Sequence, residues 1–218
     1  MRVAIAGAGK VGRAIAVELV DNGHEVILVD RDATKAKPGV VAGATSIQAD
    51  ACELSALEKV GIQGCDVVVA ATGDDKVNLV VSLLAKTEYG VERVVARVNH
   101  PKNEWMFDDT WGVDVAVSTP RMLSALVEEA VSVGELVRLF TFRQGNANLV
   151  ELTLASDSGV VGSTVGQVHW PTDSALVAII REGRVITPSQ DDPLEAGDEL
   201  MFVAAPDQEQ ALQDLLHS

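Results

Sequence analysis

Short apolar runs alternate with amphipathic stretches of helical length along the first half of the chain. The runs are rich in Val, Ile and Ala, which is typical of strands buried on both faces of a parallel sheet. An alternation of strand and helix predicts right-handed crossovers and a doubly wound α/β layer. The predicted strands cover residues 3–7, 26–30, 44–50, 67–72, 93–98 and 113–118.

A helical pattern follows these strands, with Thr119 as its predicted cap and Pro120 in its first turn. We expect it to leave the first domain, so residues 119–135 are predicted to be a crossover helix and linker. Its apolar positions fall on one helical stripe. They are Met122, Leu123, Leu126, Val127, Ala130 and Val131.

The pattern changes to short alternating strands beyond Gly134, at residues 149–156, 175–188 and 198–205. Glu182-Gly183 inside the second of these is a hairpin-turn signal. A helix that begins near Asp207 closes the chain. Residues 136–218 are therefore predicted to form a smaller α+β domain, after a Rossmann-like domain over residues 1–118.

The chain of 218 residues carries 17 basic and 32 acidic side chains, a formal charge of −15. This charge repels phosphate backbones and anionic lipid, so no nucleic-acid partner is predicted. No apolar run has the roughly 18 residues of a membrane span, and Lys10 and Arg13 interrupt any signal-peptide core. We therefore expect a cytoplasmic protein. Cys52 and Cys65 are too few for a metal knuckle or a disulfide framework, so no metal site is predicted.

Three glycines follow the first predicted strand at the spacing of a dinucleotide-binding turn. Gly7 permits the tight turn, Gly9 lets backbone N–H groups approach a pyrophosphate, and Gly12 lets the helix pack against the sheet. The anion would lie at the positive end of the helix. The predicted phosphate-binding turn comprises Gly7, Ala8, Gly9, Lys10, Val11 and Gly12.

Asp30 ends the second predicted strand, where a carboxylate would accept hydrogen bonds from the adenosine ribose. Because this carboxylate would repel a 2′-phosphate, NAD(H) is favoured over NADP(H), although the adjacent Arg31 works in the opposite direction. A glycine-rich turn beside a solvated Asp30 is the alternative.

Other strand ends should meet at the same edge of the sheet. Asp50 would accept a hydrogen bond from the adenine amino group, or it would cap the following helix. Arg97 and Lys10 would neutralise phosphate charge, or Arg97 would pair with a carboxylate. Asp74, Asp75 and Asn78 are interpreted as helix-start residues. The remaining candidates at this edge are Ala51, Ala71, Thr72 and Gly73.

No catalytic residue is predicted. His24, His100, His169 and His217 are scattered, and only His100 lies near a strand end. A small NAD-dependent oxidoreductase that uses His100 as its base is therefore the alternative function. A redox-sensing transcriptional regulator is a third hypothesis, against which the negative charge and the lack of a helix-turn-helix segment argue.

Several local sequences together resemble one family. In the first half they are GAGKVG at 7–12, VD at 29–30, QADA at 48–51, AATGDDKVN at 70–78 and ARV at 96–98; in the second half they are VVGSTVGQV, AIIREGRVITP and PLEAGDELMFVA. They resemble the Trk/Ktr or RCK class of regulatory subunits of potassium uptake systems, over nearly the whole chain. The resemblance implies a nucleotide-binding RCK N domain and a companion RCK C-terminal domain.

The resemblance also implies a function. Such a subunit binds NAD(H), and in many members ATP or ADP, and assembles as dimers and a tetrameric or larger ring, with a homologous soluble subunit as a further candidate partner. It lies at the inner face of the membrane, where it gates a potassium-translocating subunit. Two positions depart from the pattern. Arg121 follows Pro120 where members with a divalent cation between subunits have Glu, and Lys10 replaces an arginine of some ATP-responsive members.

Overall fold

The structure is a computed structural model that describes residues 1–131, 134–142 and 146–217, with the side chains of 128–131 left aside. Its contacts divide the chain into two compact units, Met1–Pro120 and Arg121–Ser218. In the described residues, no helix has both the length and the apolar character needed to span a membrane.

A six-stranded parallel sheet forms the centre of the first unit. Its order is β3-β2-β1-β4-β5-β6, so the chain moves outward from β1 to β3, crosses to β4 and moves outward again to β6. This is the strand order of dinucleotide-binding sheets, and it confirms the predicted fold class. The strands are β1 (Arg2–Ala6), β2 (Glu25–Asp30), β3 (Thr45–Gln48), β4 (Val67–Ala70), β5 (Arg93–Val98) and β6 (Val115–Ser118).

Helices cover both faces of this sheet. They are α1 (Lys10–Asp21), α2 (Leu54–Val60) and α3 (Asp75–Thr87). Successive residues of a strand point to opposite faces, so Ile5 packs in a cluster with Ala16 of α1. The neighbouring Ala6 packs in a second cluster with Leu57 of α2 and Leu79 of α3. Burial on both faces explains why the strands are continuous apolar runs.

Residues 102–111 are rich in aromatic side chains. Phe107 is 1% exposed and belongs to the core, and Met106 and Trp111 pack partly buried against the same cluster. Trp105, in the 3-10 helix Pro101–Met106, is 76% exposed. Three of these four large side chains therefore belong to the core, and Trp105 lies on the surface.

The second unit contains an antiparallel sheet with the order β10-β9-β11-β8-β7. Glu182 and Gly183 both have positive φ, 51° and 74°, as the central residues of a type I′ hairpin turn require. Leu212 and Leu216 of the last helix pack into the core of this sheet. The elements from Thr119 onward are α4 (Thr119–Val131), β7 (Val137–Phe142), β8 (Ala147–Thr153), β9 (Ser174–Arg181), β10 (Arg184–Ile186), β11 (Glu199–Ala204) and α5 (Glu209–His217).

Helix α4 presents large apolar side chains to solvent. Met122, Leu123, Leu126 and Val127 are between 44% and 62% exposed. The side chains of Ala130 and Val131, assigned to the same stripe, lie outside the described residues.

Candidate nucleotide-binding site

Strands are added outward on one side from β1 to β3 and on the other side from β4 to β6, so the strand order reverses between β1 and β4. At such a point, a crevice opens outside the carboxyl ends of the strands. A cleft of about 690 Å³ lies at this place. That volume is within the range of small-molecule sites. The cleft is the candidate functional site.

Twelve of the fourteen predicted site residues line this cleft; Ala8 and Gly12 do not. The twelve come from five separate places in the sequence. They are Gly7, Gly9, Lys10, Val11, Asp30, Arg31, Asp50, Ala51, Ala71, Thr72, Gly73 and Arg97. Six further lining residues were not predicted as site residues: Val29, Lys35, Ala49, Cys52, Asp74 and Val77.

The glycines of the turn differ in what they make possible. A Cβ on Gly12 would lie 1.8 Å from the Gly7 carbonyl oxygen, so Gly12 supports the turn from within the fold. Gly7 has φ +108°, and a Cβ there would lie 2.9 Å from the Ala71 carbonyl oxygen. A Cβ on Gly9 would meet nothing within 4 Å. Because Gly9 lines the cleft, its missing side chain leaves space for a ligand.

The N-terminus of α1 faces this space without an internal acceptor. Gly9 is the N-cap residue, no side chain caps the helix, and no acidic residue lies in its first turn. The first N–H groups of a helix have no intrahelical partner and attract anions. Lys10 adds a positive charge at the same end. A pyrophosphate here would accept hydrogen bonds from these uncapped N–H groups.

Asp30 connects the end of β2 to the glycine turn. One carboxylate oxygen accepts the Ala8 N–H at 2.9 Å, and the other accepts the Asp32 N–H at 2.9 Å. Ala8 therefore contributes to the site through Asp30, although it does not line the cleft. A carboxylate oxygen accepts more than one hydrogen bond, so both oxygens keep capacity for ribose hydroxyls.

Thr72 uses its donors within the protein. Its backbone N–H and its hydroxyl lie 2.9 Å and 2.6 Å from the Asn78 side-chain oxygen. Since both donors face inward, the group that this turn can offer to an anion is the Gly73 N–H. Asn78 lies in the first turn of α3, as predicted for a helix-start residue, and is also fully buried. Asp74 does cap α3, accepting the Lys76 N–H at 2.9 Å.

Arg97 extends from β5 to the cleft. Its Nε is buried and has no hydrogen-bond partner among the described residues, and no ion pair joins it to a carboxylate in this part of the chain. The alternative of a pairing with a carboxylate therefore receives no support. A buried donor without a partner is costly, and the unpaired positive charge of this cleft-lining side chain suits an anionic ligand.

Asp50 lies after β3, on the far side of the cleft. Its Oδ1 accepts the Cys52 N–H at 2.9 Å and closes a turn. The N-cap residue of α2 is Glu53, so Asp50 does not cap that helix. Burial raises the pKa of the adjacent Cys52 thiol, and the negative charge of Asp50 raises it further. The thiol is therefore the neutral form at pH 7.

His100 is not among the cleft-lining residues. Its Nδ1 accepts the Lys102 N–H at 3.2 Å and caps the 3-10 helix Pro101–Met106. Across the described ranges, His, Cys, Asp and Glu form no group of three that could hold a metal ion. The cleft thus combines groups suited to an anion with a carboxylate suited to a ribose, and His100 does not line it.

Residues 3–119 match the family model described as the TrkA-N domain, and residues 149–217 match the TrkA-C domain. The chain belongs to the TrkA family. A Mycobacterium tuberculosis relative, Trk system potassium uptake protein TrkA, is 57% identical over 216 residues, which are 99% of this chain and 98% of the relative. A homolog from Methanothermobacter thermautotrophicus is 34% identical over 209 residues, 95% of each chain.

Solved structures of RCK proteins share the fold. The GsuK channel bound to NAD superposes with a TM-score of 0.72 at 18% identity, covering all of this chain and 39% of the channel chain. GsuK bound to ADP matches with a TM-score of 0.51 at 26% identity, over 59% of this chain and 34% of that chain. The family and the fold therefore agree with the resemblance found in the sequence.

Proposed function

We propose that the chain is a nucleotide-binding regulatory subunit of a potassium uptake system. It binds NAD(H), or ATP or ADP in its place, and gates a membrane potassium-translocating subunit from the cytoplasmic side. Residues 1–118 act as the nucleotide-binding domain, 119–135 as the linking helix and 136–218 as the companion domain. The family, whose relatives are named as Trk potassium uptake proteins, supports this role.

One observation carries the nucleotide-binding part of the proposal. The unpartnered Nε of Arg97, the uncapped end of α1 and the Asp30 carboxylate meet at one cleft. The first two are suited to phosphate, and the third is suited to a ribose diol. A nucleoside diphosphate group contains both. The NAD and ADP named in the GsuK structures contain the same group.

Gating requires that the nucleotide bind one arrangement of an assembly better than another. We propose a homo-oligomer, from a dimer to a ring, that carries this change to the membrane subunit; a homologous soluble subunit is a further candidate member. The exposed apolar side chains of α4 support an assembly. The oxidoreductase alternative is not favoured, because His100 lies outside the cleft lining.

Calorimetric titration with NAD, NADH, NADPH, ADP and ATP tests the binding site. We expect NAD(H) to bind more tightly than NADPH, and Asp30→Asn to weaken NAD binding about tenfold, as for a lost hydrogen bond to a charged group. Asp21→Asn, a matched charge change at the other end of α1, should bind normally. Unchanged affinity in Asp30→Asn would remove Asp30 from the site.

The regulatory part needs a separate measurement. Rubidium flux into proteoliposomes that hold the membrane subunit should respond to nucleotide only when the chain is added. Light scattering should give a particle larger than the 23.0 kDa chain. A stable monomer, or a flux that ignores the nucleotide, would contradict gating.

A further inference from the structure

A buried polar cluster lies directly behind the cleft, at the start of α3. Asp75 is 7% exposed and Asn78 is fully buried, and neither lines the cleft. Their partners come from the end of β5 and the residues that follow it. Buried polar groups are expensive unless they are fully hydrogen-bonded, so this cluster has a specific arrangement.

Asp75 gathers four donors from three residues. Its Oδ1 accepts the backbone N–H and the side-chain amide of Asn99, at 2.6 Å and 3.0 Å. Its Oδ2 accepts the His100 N–H at 3.0 Å and the Asn103 side-chain amide at 2.8 Å. Because a carboxylate only accepts, it fits four donors as an amide side chain would not.

Asn99 connects Asp75 to Thr72, which lines the cleft. Its side-chain amide also donates to the Thr72 carbonyl oxygen at 3.0 Å. Asn78 donates to the same oxygen at 3.3 Å and to the Arg97 carbonyl oxygen at 2.8 Å. Two buried amides therefore hold the Thr72 carbonyl on the side of the cluster.

The Thr72 carbonyl and the Gly73 N–H belong to one peptide group. In a planar trans peptide, the C=O and the N–H point in opposite directions. When the carbonyl is held inward by Asn99 and Asn78, the Gly73 N–H is directed away from the cluster, and Gly73 lines the cleft. The buried amides of Asn99 and Asn78 thus set the orientation of the Gly73 N–H toward the cleft.

We propose that Asp75 is a positioning residue of the nucleotide site: through Asn99 it fixes the Thr72–Gly73 peptide and ties residues 99–103 to the cleft. This inference rests on the proposed nucleotide binding. A ligand that accepts the Gly73 N–H also stabilises the contacts of Asn99, His100 and Asn103. Its effect therefore extends to the 3-10 helix Pro101–Met106, which carries the exposed Trp105.

Calorimetric titration with NAD and ADP tests the inference in four variants of the full chain. We expect Asp75→Asn and Asn99→Ala each to bind about tenfold more weakly, as for lost hydrogen bonds to charged and buried groups. The double variant should have the same affinity as the single variant that binds more weakly. The two effects on affinity should not add, because Asp75 acts through Asn99. Asp109→Asn, an exposed carboxylate of the same unit, is the charge-matched control.

Amide hydrogen exchange gives an independent readout. In the wild type, ligand should slow exchange in residues 7–12, 71–79 and 99–106; in Asp75→Asn, only the glycine turn should remain protected. A purely structural role would lower the resistance to urea and leave both the affinity of the folded protein and this pattern unchanged.

The possible failures are distinguishable. If the wild type binds none of the nucleotides, the proposed function itself fails, and this inference fails with it. If the wild type binds but Asp75→Asn has the same affinity, or if the two single effects add, only the inference is overturned. Should Asp75→Asn not fold, wild-type affinity in Asn99→Ala would overturn the inference by itself.

Discussion

Arg97 in the first unit and Arg181 in the second are both partly buried near the end of a strand, yet their partners differ. Arg181 makes a two-bond contact with the fully buried Asp198, at 2.7 Å and 2.8 Å, and donates to the Pro193 carbonyl. The hydrogen bonds to Asp198 and the negative charge of that carboxylate raise the pKa of the Arg181 guanidinium above its ordinary value, although burial opposes them. Arg97 has a buried Nε without any partner among the described residues.

This difference separates two uses of the same side chain. A guanidinium whose donors are satisfied by its own fold contributes to stability, whereas one that lines a cleft without a carboxylate partner is suited to an anionic ligand. A mutation of Arg181 should therefore lower stability, and a mutation of Arg97 should lower ligand affinity.

The largest effect is expected for Arg181→Ala. The change leaves the buried Asp198 carboxylate unpaired, and such a loss is costly. Because the Arg181 side chain is 24% exposed, we expect about 2 to 3 kcal/mol of lost unfolding free energy, somewhat below the value for a fully buried pair. Urea unfolding measures it. Arg184→Ala, an exposed neighbour across the hairpin, should change stability by less than about 0.5 kcal/mol, and equal losses would end the comparison.

Arg97→Ala should instead act on binding. We expect the affinity for NAD to fall about tenfold, the scale of a hydrogen bond to a charged group. The unliganded protein should unfold at the same urea concentration as the wild type, because no ion pair is lost. Calorimetry and urea unfolding of the same samples test both statements. Arg93→Ala, on the same strand but exposed at its other end, is the control, and equal affinities in the two variants would refute the assignment of Arg97.

The smallest effect is expected for the stability of the fold at acidic pH, through Asp75. Burial alone would raise the pKa of Asp75, but the hydrogen bonds from Asn99, Asn103 and His100 outweigh it and hold that pKa below its usual value. Such a carboxylate stabilises the fold above its unfolded pKa of about 4 and loses this contribution as the pH falls further. The wild type should therefore lose stability more steeply below about pH 4 than Asp75→Asn does, as measured by urea unfolding across pH. Parallel curves would show that the cluster does not depend on the charge of Asp75.

The predictable parts of the site are those whose signal is local in the sequence. The glycine turn and Asp30 are recognised from spacing, because one strand, one turn and one helix place them. The parallel strands are recognised because burial on both faces leaves continuous apolar runs. In both cases, the residues that decide the outcome are close together in the chain.

The missed features depend on distant partners. Asp75 and Asn78 have the composition of a helix start, and only the contacts of Asp75 with residues 24 to 28 positions away show its buried role. Asn78 likewise donates to the carbonyl oxygen of Arg97, 19 positions away. Strand β7 was not predicted, because it pairs only with β8 at the sheet edge and most of its residues are exposed.

The two thiols of the first unit have a practical consequence. Cys52 is partly exposed at the cleft, whereas Cys65 is 7% exposed and lies elsewhere in the core. Alkylation needs the thiolate, and burial raises the pKa of both thiols, so both should react more slowly than an exposed cysteine. A ligand in the cleft should slow the reaction of Cys52, and the reaction of Cys65 in the same sample should report opening of the fold. The native chain thus carries its own footprinting probe together with an internal reference.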